Sequence, residues 1–186
     1  MAFDTTLNTI PQFTPYLSVG NNAGAWKERL SPMKTPRVGL VWAGNPNHRN
    51  DRNRSIALET LLPLLDVEAQ FFSLQKEVRP GDQTLLREHK KILDLGHELT
   101  SFADTAAIIQ NLDLLISVDT SVAHLAGALG RPVWIFLPYV PDWRWQLIRT
   151  DSPWYPTARL FRQSETRDWQ SVVHRASAAL QAFGHG

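Results

Sequence analysis

The residues with the clearest chemical potential are the segment 119–124 (DTSVAH), which follows an apolar run and opens a predicted helix. Free backbone N–H groups and the positive end of a helix dipole meet at such a point, and Thr120 and Ser121 add hydroxyl groups. His124 lies four residues after Thr120 and three after Ser121, so it shares their helix face. This spacing suits a cradle for a phosphate or diphosphate. It suits equally a helix that Asp119 caps and whose histidine is structural.

A second candidate is the polar loop 43–55 (AGNPNHRNDRNRS). Gly39 and Gly44 have the spacing of a phosphate-binding loop, but Asn45 stands where the lysine is required, which rules out a standard Walker A motif. A glycine turn and a loop with three arginines remain, and such a loop can close over an anion. A solvated charged loop is the alternative, and the length of the segment favours a functional role.

Two further groups of residues follow predicted strands. Gln75 and Lys76 end the second strand, where Lys76 could neutralise a phosphate or be an ordinary surface lysine. The segments 141–145 (PDWRW) and 151–156 (DSPWYP) could line a base or sugar pocket, because tryptophan and arginine together suit planar and polar ligands. They could also form a rigid cover over the core, which we expect of Trp154 and Tyr155.

Composition excludes several classes of function. The 186 residues include 19 Lys+Arg and 18 Asp+Glu, and the net charge of +1 argues against nucleic acid as a sequence-independent partner. The absence of cysteine excludes thiol catalysis and cysteine-ligated metals. The six histidines show no H-x-x-x-H or H-E-x-x-H grouping, so we expect no metal site. Without a signal peptide or an apolar stretch of about 18 residues, we expect no membrane span and a cytoplasmic location.

Strands and helices alternate from residue 37 onward. The predicted strands are 37–42, 69–74, 92–95, 114–118 and 132–137, with 158–161 as a possible sixth. The predicted helices are 56–65 after a Ser55 cap, 102–111 after a Ser101–Asp104 capping box, 120–129 ended by Gly130, and 168–183. This order predicts an α/β fold: a Rossmann-like, doubly wound parallel sheet of five to six strands in a three-layer αβα arrangement. Ligands of such sheets bind beyond the carboxyl ends of the strands.

Residues 1–36 differ from the rest and are interpreted as an extended connector arm ahead of a Rossmann-like domain over 37–186. The arm is punctuated by prolines, and only the stretch 26–30 could form a helical turn or two. We expect four of its apolar side chains to pack along the domain surface: Phe13, Tyr16, Leu17 and Trp26. A mobile tail is the alternative.

The motifs, in their order along the chain, resemble a known family. They are 38–55 (VGLVWAGNPNHRNDRNRS), 71–77 (FFSLQKE), 101–138 (SFADTAAIIQNLDLLISVDTSVAHLAGALGRPVWIFLP), 141–147 (PDWRWQL) and 152–163 (SPWYPTARLFRQ). Together they resemble the C-terminal domain of bacterial glycosyltransferase-like proteins that carry TPR repeats. They are also similar to the nucleotide-sugar half of the lipopolysaccharide heptosyltransferases, and more distantly to O-GlcNAc transferase. The resemblance covers about residues 10–165.

The resemblance implies one half of a GT-B fold that binds a nucleotide-diphosphate sugar, UDP- or ADP-linked, without metal or other cofactor. It implies that Thr120 and Ser121 contact the diphosphate and that Asp119 and His124 lie near the phosphate or the ribose. The remaining residues to which it gives a place in the cleft are Gln75 and Lys76, beside the diphosphate, and Gly44 and Asn45, on the first strand's loop.

The resemblance also implies that an acceptor-binding half is missing, so no residue of this chain is assigned as the catalytic base. The expectation is a donor-binding domain that is inactive alone and whose partners are the N-terminal acceptor domain and the TPR repeats of a longer chain. A non-catalytic Rossmann-like interaction module beside TPR repeats remains the alternative, and a stand-alone nucleotide-binding regulator is a third.

Overall fold

Six parallel strands form one sheet in the computed structural model, which describes residues 5–7, 9–11, 14–20, 23–30 and 35–183. The strands are β1 (Arg37–Val41), β2 (Gln70–Ser73), β3 (Ile92–Asp94), β4 (Leu114–Val118), β5 (Val133–Leu137) and β6 (Ala158–Arg162). Their order across the sheet is β3-β2-β1-β4-β5-β6, and every neighbouring pair is parallel. The predicted doubly wound α/β fold is confirmed, including its sixth strand.

Helices cover both faces of the sheet. They are α1 (Ala23–Leu30), α2 (Asp51–Arg54), α3 (Leu58–Leu61), α4 (Pro80–Glu88), α5 (Phe102–Gln110), α6 (Ser121–Ala128) and α7 (Trp169–Phe183). The capping box of α5 is confirmed, since the Ser101 hydroxyl accepts from the Asp104 amide and the Asp104 carboxylate accepts from the Ser101 amide. Gly130 follows α6 with φ +66°, the left-handed conformation predicted for a residue that ends a helix. Throughout the described ranges, none of the helices is both long and apolar enough to cross a membrane.

The prediction of one helix over 56–65, capped by Ser55, is wrong. The segment forms the single turn α3, followed by a 3₁₀ helix over Leu62–Asp66 with a proline in its first turn. Ser55 instead ends α2, and the N-cap of α3 is Ala57. The first amide of α3, on Leu58, donates to the carboxylate of Asp82 in α4 at 3.0 Å. Helix α4 itself was not predicted.

Successive residues of each strand pack into two separate cores on opposite faces of the sheet, because side chains alternate from one face to the other. On one face, Phe71 and Phe136 pack with α3, α4 and α7. On the other face, Phe72 and Ile135 pack with α1, α5 and α6. Both faces of β4 and β5 are fully buried, which explains their uninterrupted apolar sequences.

The arm contacts the second core through Val19, Trp26 and Leu30. Helix α1 packs on α5, its Leu30 is fully buried, and Asn111 donates its side-chain amide to the Ala23 carbonyl at 3.1 Å. The amides of Tyr16 and Leu17 both donate to the carbonyl of Ala128 at the end of α6. The range 1–36 is therefore not extended throughout, while Phe13 lies outside the described residues.

Candidate functional site

Two cavities open at the carboxyl edge of the sheet, on either side of the start of α6. The first, of about 600 Å³, lies beyond β1, β2 and β3 and is lined mainly by the ranges 43–47, 74–77 and 99–105. The second, of about 910 Å³, lies beyond β4, β5 and β6 and is lined mainly by His48, Asn50 and the ranges 52–54 and 138–142. Thr120, Ser121 and Arg54 line both cavities. The boundary between β1 and β4 is the switch point, where this class of sheet binds ligands.

The start of α6 has the features of the predicted anion cradle. Its N-cap is Thr120, not Asp119, and the Thr120 side chain makes no capping bond. The Thr120 hydroxyl lies instead 3.0 Å from that of Ser117 in β4, and the Ser121 side chain faces solvent. The first amides of α6 therefore meet the two cavities at the positive end of the helix dipole.

Arg54 joins the polar loop to this cradle. Its guanidinium donates to the Asp119 carbonyl at 2.7 Å, and its Nε lies 3.7 Å from the carboxylate of Asp51. The side chain is only 14% exposed and lies flat on Gly44, where an added Cβ would stand 2.6 Å from a guanidinium nitrogen. Of the three loop arginines, Arg54 is the one that places a positive charge between the cavities. Sequence reasoning identified the loop but not this residue.

Gln75 is buried, and all its side-chain hydrogen-bonding capacity is used within the protein. Its Oε1 accepts from the amides of Trp42 and Ala43 at 3.1 and 3.0 Å. Its Nε2 donates to the carbonyls of Ala43 and Glu77 at 2.9 and 3.1 Å. Gln75 therefore ties the end of β2 to the end of β1 and shapes the first cavity. The neighbouring Lys76 is exposed and lines that cavity, so it is free to reach a ligand.

Gly44 and Asn45 line the first cavity, and their place in a donor site stays a prediction. The Gly44 amide donates to the hydroxyl of Ser55 at 3.0 Å, which closes the base of the loop. Asn45 is exposed, and its side-chain oxygen accepts from the Asn47 amide at 2.9 Å. Both residues shape the loop.

His124 lies on the wall of the second cavity. Its ring stacks on Trp145 with 5.1 Å between centroids, and its Nδ1 lies 3.0 Å from the Tyr155 hydroxyl. Its Nε2 is 3.7 Å from the Asp119 carboxylate. Burial lowers the pKa of His124 below its ordinary value and outweighs the opposing attraction of Asp119, so the ring is neutral at neutral pH.

The two aromatic segments divide between core and surface. Trp145 and Tyr155 are buried, Trp154 is half-buried, and Trp143 is 68% exposed. Burial, with a hydrogen bond to Tyr16, raises the pKa of Tyr155 far above its ordinary value. Tyr155 thus has the covering role that we expected, and it also contacts a candidate site residue.

Charge in both cavities favours anions. The charged residues that line the first cavity are Lys76 and Arg54, which are basic, and Glu77, which is acidic. In the second, the arginines are Arg52, Arg54, Arg144 and Arg167, and the acidic residues are Asp119 and Asp142. Across the ranges that the structure describes, no three His, Asp or Glu side chains are grouped to hold a metal ion.

Comparison with known proteins finds a partial family match and two similar folds. Residues 86–142 match the model of glycosyltransferase family 9 (heptosyltransferase), a segment that includes the cradle 119–124. The structure is similar to that of E. coli ADP-heptose LPS heptosyltransferase II, with a TM-score of 0.64, 20% identity, and coverage of 95% of this chain and 56% of that one. It is also similar to a glycosyl transferase family 9 structure from Veillonella parvula DSM 2008, with a TM-score of 0.61, 10% identity, and coverage of 89% and 53%.

A curated relative contains a similar segment within a longer protein. The chain is 26% identical over 167 residues to protein FlbA of Caulobacter vibrioides, which covers 85% of this chain and 27% of FlbA. The chain therefore spans about a quarter of FlbA and little more than half of each similar structure. The expected likeness to heptosyltransferases is confirmed as a match of residues 86–142 to the family 9 model and as a similar fold. The attachment to TPR repeats, the relation to O-GlcNAc transferase and the cytoplasmic location stay predictions.

Proposed function

We propose that this chain is the donor-binding domain of a glycosyltransferase and that it takes a nucleotide-diphosphate sugar, UDP- or ADP-linked. The observation that carries the proposal is the convergence of the uncapped start of α6 and the Arg54 guanidinium between two cavities. A diphosphate needs such a point of positive potential, and the groups it links need a compartment on each side.

The linings of the cavities suggest how the donor lies. The apolar side chains of Leu99, Phe102 and Val122 in the first cavity suit the planar base of a nucleoside. The polar side chains of Asp119 and His124 in the second cavity suit the hydroxyl groups of a sugar. The diphosphate then bridges the two compartments across the amides of α6.

In transfer, a nucleophilic atom of the acceptor forms a bond to the anomeric carbon and gives its proton to the general base. The bond from that carbon to the diphosphate oxygen breaks, and its electron pair leaves with the diphosphate. The dipole of α6, Arg54 and Lys76 would stabilise the negative charge that develops there, without a metal ion. We propose that the acceptor-binding wall and the general base belong to a further domain, since the chain spans 56% of the E. coli structure. The isolated chain is therefore expected to bind donor weakly and to transfer no sugar.

Calorimetric titration with UDP, ADP and GDP, with and without EDTA, tests the proposal. We expect saturable binding of one diphosphate, indifferent to EDTA, and a loss of roughly tenfold in Arg54→Gln because a charge-assisted hydrogen bond contributes about 1.5–3 kcal/mol. Arg49→Gln is the matched control, because Arg49 is an exposed arginine of the same loop that lines neither cavity. Thr120→Ala, Ser121→Ala and His124→Ala extend the test across the cradle.

Absence of saturable binding at millimolar concentration, or equal affinity of the two arginine variants, would contradict the proposal. The interaction module attached to TPR repeats would then become the better interpretation. Sugar transfer by the isolated chain would contradict the assignment of the acceptor wall to a further domain.

A further inference from the structure

The tryptophan and tyrosine side chains of the segments 141–145 and 151–156 have no role in the donor site as proposed, yet one from each segment meets His124. Trp145 comes from the first segment and Tyr155 from the second, and both are buried. The Trp145 ring lies nearly parallel to the imidazole, at an interplanar angle of 22°. Tyr155 meets the imidazole edge-on, with 5.7 Å between centroids. Two elements far from α6 in sequence thus fix one small ring.

Tyr155 is itself held tightly. An added Cβ on Gly127 would lie 2.4 Å from the Tyr155 ring, so only a glycine one turn beyond His124 lets the ring approach α6 this closely. The Tyr155 amide donates to the hydroxyl of Ser152 at 3.3 Å. The Tyr155 hydroxyl lies 3.0 Å from Nδ1 of His124, and Tyr16 acts with burial to raise the pKa of that hydroxyl.

The two edges of the imidazole face different chemistry. Nδ1 faces the hydroxyl of Tyr155, which can donate or accept, whereas Nε2 faces the Asp119 carboxylate, which can only accept when ionised. A neutral imidazole has one N–H, so the arrangement is satisfied when the proton is on Nε2 and Tyr155 donates to Nδ1. The other charged groups that act on His124 are Arg144, which opposes a positive ring, and Asp142, which favours it.

We propose that Tyr155 is a positioning residue that fixes His124 with its single proton on Nε2, directed at Asp119 and the second cavity. Trp145 backs the ring and prevents it from tilting out of α6. From this position the N–H of Nε2 donates to an oxygen of the bound donor on the sugar side of the diphosphate. This last consequence rests on the proposed function, whereas the state of the ring in the unliganded chain does not.

Long-range ¹H–¹⁵N spectra of the ¹⁵N-histidine-labelled chain at neutral pH test the proposal directly, with His124 assigned from His124→Gln. We expect a protonated Nε2 and an unprotonated Nδ1 whose shift is that of a hydrogen-bond acceptor. Tyr155→Phe keeps the ring against Gly127 and removes only the hydroxyl, so Nδ1 should move towards the shift of a free imidazole nitrogen. Tyr139→Phe makes the same change at a tyrosine that lines the second cavity, and it should leave both nitrogens unmoved.

Binding measured in parallel separates this inference from the proposed function. With UDP, ADP, UDP-glucose and ADP-glucose as probes, we expect Tyr155→Phe to weaken the sugar-linked probe that binds by roughly fivefold, which is the size of one neutral hydrogen bond. A proton on Nδ1 in the wild-type chain, or an Nδ1 shift unchanged in Tyr155→Phe, overturns the positioning role even if nucleotide binds. The expected spectra without any nucleotide binding support the positioning role and overturn the donor-site function.

Discussion

Gly44→Ala should weaken nucleotide binding while leaving the fold almost as stable as before. The added Cβ would stand 2.6 Å from a nitrogen and 2.9 Å from the carbon of the Arg54 guanidinium, and these atoms are the far end of a flexible side chain. The guanidinium must therefore swing away, and its 2.7 Å bond to the Asp119 carbonyl is lost. Gly44 does not have the left-handed φ that disfavours alanine, so the backbone accepts the substitution.

The expected magnitudes follow from these contacts. Losing the charge-assisted contact of Arg54 with the diphosphate should cost about 1.4 kcal/mol of binding free energy, or roughly tenfold in affinity. The free energy of unfolding should change by less than about 1 kcal/mol, because the lower entropy of the unfolded alanine chain offsets the lost bond to Asp119. The measurements are calorimetric titration with the nucleoside diphosphate and urea denaturation.

Gly39→Ala is the matched control, because Gly39 lies in β1 and Gly44 lies in the loop that follows β1. Its Cβ would stand 2.6 Å from a Leu112 methyl and 3.0 Å from a Leu115 methyl, inside the second core. Overpacking of this kind should destabilise the fold by about 1–3 kcal/mol and leave affinity unchanged under folded conditions. In a double-mutant cycle, Gly44→Ala should add nothing to Arg54→Gln. Additive losses would refute the reasoning, because they would mean that Gly44 does not act through Arg54.

Three further predictions concern stability. Asp82→Ala should lower the free energy of unfolding, measured by urea denaturation, by about 2–4 kcal/mol. It removes the acceptor of the fully buried Trp42 indole N–H, at 2.9 Å, and of the Leu58 amide in α3. A loss below about 1 kcal/mol would contradict this prediction. Gly81→Ala, in open space on α4, should raise the melting temperature through roughly 0.5 kcal/mol of added stability; a lower melting temperature would show an unseen constraint. The hydrogen bond from Arg37 holds the pKa of Asp113 below its usual value, so this carboxylate stabilises the fold at neutral pH and the contribution disappears as the pH falls through the folded pKa. The stability gap between wild type and Asp113→Asn should accordingly shrink on acidification below about pH 4, and a constant gap would count against the pair.

The sheet could be predicted because its strands carry their own signal. β4 and β5 are buried on both faces, and a run of apolar residues between polar turns has few other uses in a chain of this length. The capping box of α5 and the glycine after α6 are likewise local features, and the structure contains both. Errors at the strand ends amount to a residue or two, since ends depend on neighbouring strands.

Helix α4 was not predicted from the sequence because its stabilising contacts are with residues that are distant in sequence. Its few apolar side chains give a weak periodic pattern, and of its residues only Asp82 and Leu86 are buried. Asp82 accepts from Trp42 and from the amide of Leu58, residues that belong to other elements. The start of α3 depends on the same carboxylate, whereas its end coincides with a 3₁₀ helix that has a proline in its first turn.

The sequence predicts which residues of the candidate site lie at the cavities, but it does not predict the role of each. Position at a strand end was enough to bring Thr120, Ser121 and Lys76 to the cavities, because the carboxyl ends of parallel strands share one edge. Residue type alone does not distinguish a side chain that binds a ligand from one that only holds the cleft together, which we call a brace. Gln75 is a brace, because its side-chain amide makes all of its hydrogen bonds to backbone groups. The sequence of the loop also does not show which of its arginines turns inward. Arg54 does so because it donates to the carbonyl of Asp119, which lies outside the loop.

These braces together explain why the cleft can offer fixed charge to an anion. Gln75 binds the ends of β1 and β2 to each other, and Arg54 binds the polar loop to the start of α6. The Ser55 hydroxyl closes the loop through the Gly44 amide. Donors that are already oriented need little reorganisation when charge develops on a leaving group, which is where such a site gains most over water. Substitutions at the braces should therefore lower donor affinity as much as substitutions at exposed Lys76, although Gln75 has no hydrogen-bonding capacity left for the ligand.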